Sequence, residues 1–149
     1  GLKCDTAVHI CYGYGIKANT DWKQTLGSEW RQYEAIFPKL QQSAIDMVSL
    51  ECHNSRVPME LIELIRGKKV MVGAIDVATH QIETPEQVAE TLHKALQFVD
   101  AENLYPCTNC GMAPLPRHVA QGKLSALAQG AKLVRNDYLA THQLDDLII

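Results

Sequence analysis

Histidine, cysteine and carboxylate recur in this chain at spacings that suit metal chemistry. His9 and Cys11 lie two apart in the apolar stretch TAVHICY, and residues two apart on a strand share a face. Glu51 stands near the end of a second such stretch, DMVSLEC, and Asp76 ends a third, KVMVGAID. Cys107 and Cys110 form a C-x-x-C around the turn after LYPC. Imidazole, thiolate and carboxylate are the donors that tetrahedral zinc takes. The C-x-x-C keeps two readings open on spacing alone, a zinc half-site or a redox pair. Glu51 also has a plain alternative, as a loop acid paired with Arg56.

The elements that must position these groups read as four strand–helix units. Strands are expected over residues 6–12, 46–52, 69–76 and 104–107, each a short apolar run bounded by turn residues. Helical spacing covers about Ser28 to Ser43, with Pro38 interrupting it. A second helix opens near Pro58. A third has Thr84 as N-cap, Pro85 in the first turn and Gln87 completing a capping box, and it continues to Val99. The last is expected from Arg117 to Asp137, with Val119, Leu124, Leu127, Ala131 and Val134 inward. Such alternation implies a parallel sheet with right-handed crossovers. Functional groups in such sheets gather at the carboxyl ends of the strands, which is where His9, Cys11, Glu51, Asp76, Cys107 and Cys110 fall. His118 and His142 read as surface residues, Cys4 and Cys52 as packing residues, and Trp22 and Trp30 as helix packing or surface. The stretch Thr141 to Ile149 receives no element.

Length and composition narrow the class. The 149 residues suit one domain, 1–149, and a net charge of −3 gives no general attraction for nucleic acid or anionic lipid. No apolar run approaches the roughly 20 residues of a membrane span. The opening GLKCDTAV lacks the features of a signal peptide. Five cysteines, an odd number, argue for reduced thiols rather than a disulfide framework. A cytoplasmic protein is the expectation.

Four segments in order, VHICYG, DMVSLECHNSRVPMEL, VGAIDVATHQIETPEQV and YPCTNCGMAPLPR, carry a resemblance. Together they look like the carboxyl-terminal part of the cobalamin-independent methionine synthases, and closer still to the short, single-barrel members of that family. The resemblance runs from about Ala7 to Arg135. It implies an α/β fold of the (β/α)8 TIM-barrel type, and a catalytic zinc (Zn2+) held by His9, Cys11, Glu51 and Cys110. It implies transfer of a methyl group to the thiol of homocysteine, with the metal activating the thiolate. Methyltetrahydrofolate or another methyl carrier would be the donor. Asp76 matches an aspartate of donor activation, but the family's histidine two residues on is Ala78 here, leaving His80 as a substitute. The segment Cys52 to Arg56 is also longer than the family's usual serine–arginine stretch. Cys107 matches no obligatory position.

A (β/α)8 barrel takes about 250 residues, so four units are expected to be its C-terminal half. Two open sheet edges and an apolar inner face would favour pairing with a missing N-terminal half or homodimerisation. The half alone is expected to be inactive. Two alternatives stand beside the methyltransferase: from another class, a non-catalytic zinc or thiol-redox module centred on Cys107 and Cys110, and within the same class, a related zinc barrel that alkylates a different thiol.

Overall fold

The computed structural model describes residues 2–145. Its frame is a four-stranded parallel sheet of β1 (Ala7–Ile10), β2 (Met47–Glu51), β3 (Lys69–Gly73) and β4 (Leu104–Cys107), in the order β1-β2-β3-β4. The helices are α1 (Lys17–Gln24), α2 (Phe37–Gln41), α3 (Pro85–Ala95) and α4 (Arg117–Asp145). Short 3-10 segments occupy Gln32–Ala35, Met59–Ile65 and Ala101–Asn103.

Register sorts the side chains into rows. Ile10, Leu50, Val72 and Pro106 align across the sheet, as do Val8, Val48, Val70 and Leu104. The central members of these rows are sealed against Leu61, Ile62, Ile65, Val88 and Leu92, forming the core. The intervening row, His9–Ser49–Met71–Tyr105, points to the opposite face because strand side chains alternate. That face is open: His9 is exposed and Tyr105 retains 38% of its accessible surface.

The third helix follows its sequence signal closely. The Thr84 hydroxyl accepts from the Gln87 N–H at 3.3 Å, and the Gln87 side chain accepts from the Thr84 N–H at 2.9 Å. The helix closes at Ala95, one turn before the expected Val99. In α4, Gly130 permits close approach to α3, since a Cβ there would lie 2.5 Å from the Val88 side chain.

Other expectations need correction. The helix expected over residues 28–43 is a 3-10 turn followed by the short α2, and Pro38 sits in the first turn of α2 rather than within a longer helix. There its missing N–H costs nothing. An aromatic cluster anchors this long connection: the Tyr12 ring lies 4.7 Å from Trp30 and 5.0 Å from Tyr33, and Tyr33 lies 5.1 Å from Phe37, between centroids. On α4, Leu124 is 49% exposed while Lys123 is fully buried, so the inward face runs through Val119, Lys123, Ala126, Gly130 and Val134. Helix α4 continues through 145, and residues 146–149 of the unassigned tail lie outside the described residues. Cys4 is exposed rather than packed, whereas Cys52 packs against the core as expected. His118 and His142 are exposed, Trp30 is buried and Trp22 is half exposed against Tyr12.

Candidate metal centre

His9 leaves β1 on the open face, and Cys11 follows one residue beyond the strand. Cys110 stands three residues past β4. A flat sheet would separate the outer strands by about 14 Å, three steps of roughly 4.8 Å each. Instead, one ligating atom from each of His9, Cys11 and Cys110 falls within 4.8 Å of the others. The Cys11 thiol donates to Cys110 Sγ at 3.9 Å. Ser49 on β2 and Cys107 on β4 also approach to 3.9 Å across β3, so the sheet curls toward this face, and the loop after β4 reaches back toward β2 to bring Cys110 the rest of the way.

Asn109 holds Cys110 in place. It is 1% exposed. Its Oδ1 accepts from the Cys52 N–H at 3.1 Å, its Nδ2 donates to the His53 carbonyl at 2.7 Å, and its N–H donates to the Ile75 carbonyl at 2.9 Å. One side chain and its backbone thus pin the loops after β2, β3 and β4 together. Gly73 makes the room: a Cβ there would lie 2.5 Å from Asn109 Oδ1 and 2.6 Å from the Leu50 carbonyl.

Glu51 is 3% exposed, and both its oxygens are engaged. Oε1 accepts from the Tyr12 N–H at 2.7 Å and Oε2 accepts from the Tyr14 hydroxyl at 2.6 Å. Burial, followed by the hydrogen bond to Glu51, pushes the Tyr14 hydroxyl pKa up and keeps it a donor. The carboxylate is thereby fixed beside the chain that carries Cys11, outside the three-residue cluster. Arg56 is turned elsewhere, donating to the Gly27 carbonyl at 3.0 Å and stacking over Trp30, so the plain pairing of Glu51 with Arg56 is not formed.

Burial pushes the Cys11 thiol up to about 11; the Gly13 N–H opposes this and the neighbouring Cys110 adds to it. Cys107 is likewise pushed up to about 11 by burial, against a hydrogen bond from Ser49, and Cys52 up to about 12 by burial first. All three thiols are protonated at neutral pH without a cation to displace the proton. Cys110 turns its sulfur to Cys11, while Cys107 turns to Ser49 Oγ at 3.9 Å. The C-x-x-C is thus divided between two neighbourhoods.

Asp76 and His80 lie on the loop after β3 and do not join the cluster. Asp76 Oδ1 accepts from the Ala78 N–H at 2.8 Å and Oδ2 from Asn54 at 3.3 Å, while His80 is exposed. The same loop is held by a buried ion pair that spacing did not reveal. Lys123 Nζ donates to Glu83 Oε1 and Oε2 at 2.9 and 3.0 Å and to the Gln81 carbonyl at 2.5 Å, and Glu83 Oε1 accepts from the Asp76 N–H at 3.0 Å. The available signal was a lysine on the inward stripe of a helix. Ser49, Tyr14 and Asn109 were also missed, each being a polar residue of ordinary strand or loop composition.

Comparison with known proteins decides the family. Residues 15–133 match the family described as cobalamin-independent synthase, catalytic domain. The chain belongs to that family. Within the synthase domain the matched span holds Glu51, Asp76 and Cys110, while His9 and Cys11 precede it. A methionine synthase of Sulfurisphaera tokodaii is 29% identical over 139 residues, covering 92% of this chain and 35% of the relative. One from Saccharolobus islandicus is 29% identical over 140 residues, covering 92% of this chain and 36% of the relative. The solved structure of a B12-independent methionine synthase from Shewanella sp. W3-18-1 in complex with selenomethionine is 76% identical, with a TM-score of 0.90. The match covers 94% of this chain and 41% of that one. The synthase domain seen here spans roughly a third to two fifths of these relatives. Its parallel strand–helix units are the C-terminal part of a (β/α)8 barrel. Among the described residues no helix is long and apolar enough to cross a membrane.

Proposed function

We propose that this chain carries the metal-binding, thiol-activating part of a zinc-dependent homocysteine S-methyltransferase. The observation that carries the reading is the convergence of His9, Cys11 and Cys110. Their donor chemistry is that of zinc, and the 3.9 Å between the two sulfurs is close to the roughly 3.8 Å edge of a tetrahedron with Zn–S bonds of about 2.3 Å. Glu51 is the fourth ligand in this proposal. Its support is position: the Tyr12 N–H keeps its carboxylate next to the residue after Cys11.

Zinc, when bound, lowers the pKa of a substrate thiol that joins it and holds the thiolate ready for attack on a methyl group. The chain's own contribution is charge and placement. Two thiolates and a carboxylate would form a strongly negative donor set, which keeps an incoming substrate sulfur electron-rich. Tyr14 and the Tyr12 N–H fix Glu51 when it is not a ligand. His9, Ser49, Met71 and Cys107 line an open cleft of about 340 Å³ beside the triad, the space for a thiol substrate. The selenomethionine held by the Shewanella relative is a methionine analogue, which supports a methionine-type product here.

Homocysteine as acceptor, methyltetrahydrofolate or another carrier as donor, and the cytoplasm as compartment belong to this proposal. The five free thiols suit a reducing compartment. Asp76, with His80 on the same loop, is assigned to activation of the donor. Residues 1–149 then form the C-terminal half of the catalytic barrel, and methyl transfer to homocysteine by this chain alone is expected to be absent.

Elemental analysis of the purified chain tests the site. The expected result is about one zinc per chain, lost in Cys110→Ser and retained in Cys107→Ser, with Glu51→Gln weakening retention. Zinc that survives Cys110→Ser but leaves with Cys107→Ser would place the metal elsewhere and sink the assignment.

A further inference from the structure

We infer that Ser49 and Cys107 are positioning residues for His9, setting which ring nitrogen is free to face the two thiols. The inference rests on the metal reading above and deepens it. His9 and Ser49 are direct partners across the β1–β2 register. Ser49 is 8% exposed, its Oγ lies 3.0 Å from His9 Nδ1, and on its other side it lies 3.9 Å from Cys107 Sγ. Cys107 is the last residue of β4, so the three groups form a chain across the open face of the sheet.

A neutral imidazole has one protonated nitrogen and one lone pair, and only the lone pair binds a metal. Ser49 occupies the Nδ1 side, which leaves Nε2 for the triad. Nε2 has a lone pair only in the tautomer that carries its proton on Nδ1, and Nδ1–H then donates to Ser49 Oγ. The serine proton must go elsewhere, and the Cys107 sulfur accepts it. If the serine hydroxyl instead donated to Nδ1, the imidazole proton would sit on Nε2 and block the ligand position. The Cys107 sulfur gives the serine proton an alternative acceptor and so favours the binding tautomer. This gives a role to a thiol that lies next to the triad without joining it. Metal-bound histidines generally need such a partner on the second nitrogen, and its loss typically weakens metal binding about 10–100-fold.

Two measurements on the 149-residue chain test this. The first is the tautomer of His9 in metal-free protein, read from ring-nitrogen NMR shifts with the imidazole neutral and assigned by the signal missing in His9→Asn. The Nδ1–H form is expected to dominate in the parent and in Ser49→Thr, and to give way to Nε2–H in Ser49→Ala. The second is zinc affinity by competition with a chromophoric chelator. Ser49→Ala is expected to bind about 10–100-fold more weakly, and Ser49→Thr to remain within about threefold of the parent. Cys107→Ala is expected to shift tautomer and affinity in the same direction as Ser49→Ala, and Cys107→Ser to restore both. An unchanged tautomer in Ser49→Ala overturns the inference. If the parent binds no zinc, the metal reading fails while the tautomer measurement still judges Ser49. Should Ser49→Ala fail to fold by circular dichroism, Cys107→Ala against Cys107→Ser decides, and equal tautomers in those two overturn the inference.

Discussion

Asn109 and Gly73 show how single residues set the site. Asn109 spends every polar group of its side chain on the loop after β2, and Gly73 leaves the space it occupies. Gly73→Ala is expected to lower stability by about 1–3 kcal/mol through overpacking, measured by denaturant unfolding, and to loosen zinc retention because Cys110 follows Asn109 directly. A second residue-scale prediction concerns acid. The Thr6 N–H and hydroxyl donate to Asp46 Oδ2 at 2.7 and 2.9 Å, the backbone bond being the larger cause holding its carboxyl below the usual carboxylate range. A depressed folded pKa contributes stability that is present above the unfolded value of about 3.9 and is lost as pH falls through the folded one. Asp46→Asn should therefore flatten the fall in melting temperature below about pH 4, and an identical acid limb would refute this. The nearness of His9 to Cys11 was legible in the sequence at this scale because H-x-C on a strand shares a face, whereas Cys110 was joined to them only through the family resemblance. Asn109 was not, because an asparagine in a turn is ordinary and only the convergence of three loops gives it a structural role.

Elements with a local cause were read well, and those with a distant cause were not. The capping box at Thr84 is written in four consecutive residues and forms as expected. Thr84→Ala should cost about 1 kcal/mol, visible as a lower thermal midpoint. Helix α1 was missed because none of its residues is buried, so it has no apolar stripe to detect. On α4 the expected stripe holds at Val119, Leu127, Ala131 and Val134 but not at Leu124; the inward place beside it belongs to Lys123, and the reason lies in Glu83, on the loop after β3 forty residues away. Lys123→Met leaves Glu83 buried without its cation and should cost about 3–5 kcal/mol. The double variant Lys123→Met with Glu83→Gln should recover part of that loss in the same unfolding assay. No recovery would mean that Lys123 acts through packing rather than charge.

At the largest scale, the order β1-β2-β3-β4 leaves, among the described residues, two unpaired outer edges and an uncovered face bearing Met71 and Tyr105. Strand–helix alternation made the parallel sheet legible, whereas its curl, which decides whether the donors meet, is a collective property without a sequence signature. Light scattering on the isolated chain is expected to report particles larger than one chain, through edge pairing or face association; a monomer at high concentration would contradict this. The curl has a further consequence. Cys11 and Cys110 are 99 positions apart, so a cation shared between them would close about two thirds of the 149-residue chain into a ring. In the chain-entropy treatment of cross-links, a loop of about 100 residues is worth roughly 4.7 kcal/mol, drawn from the freedom of the unfolded chain. The same cation would act as a clasp: a single backbone cut anywhere between those cysteines would leave two pieces still tethered through it.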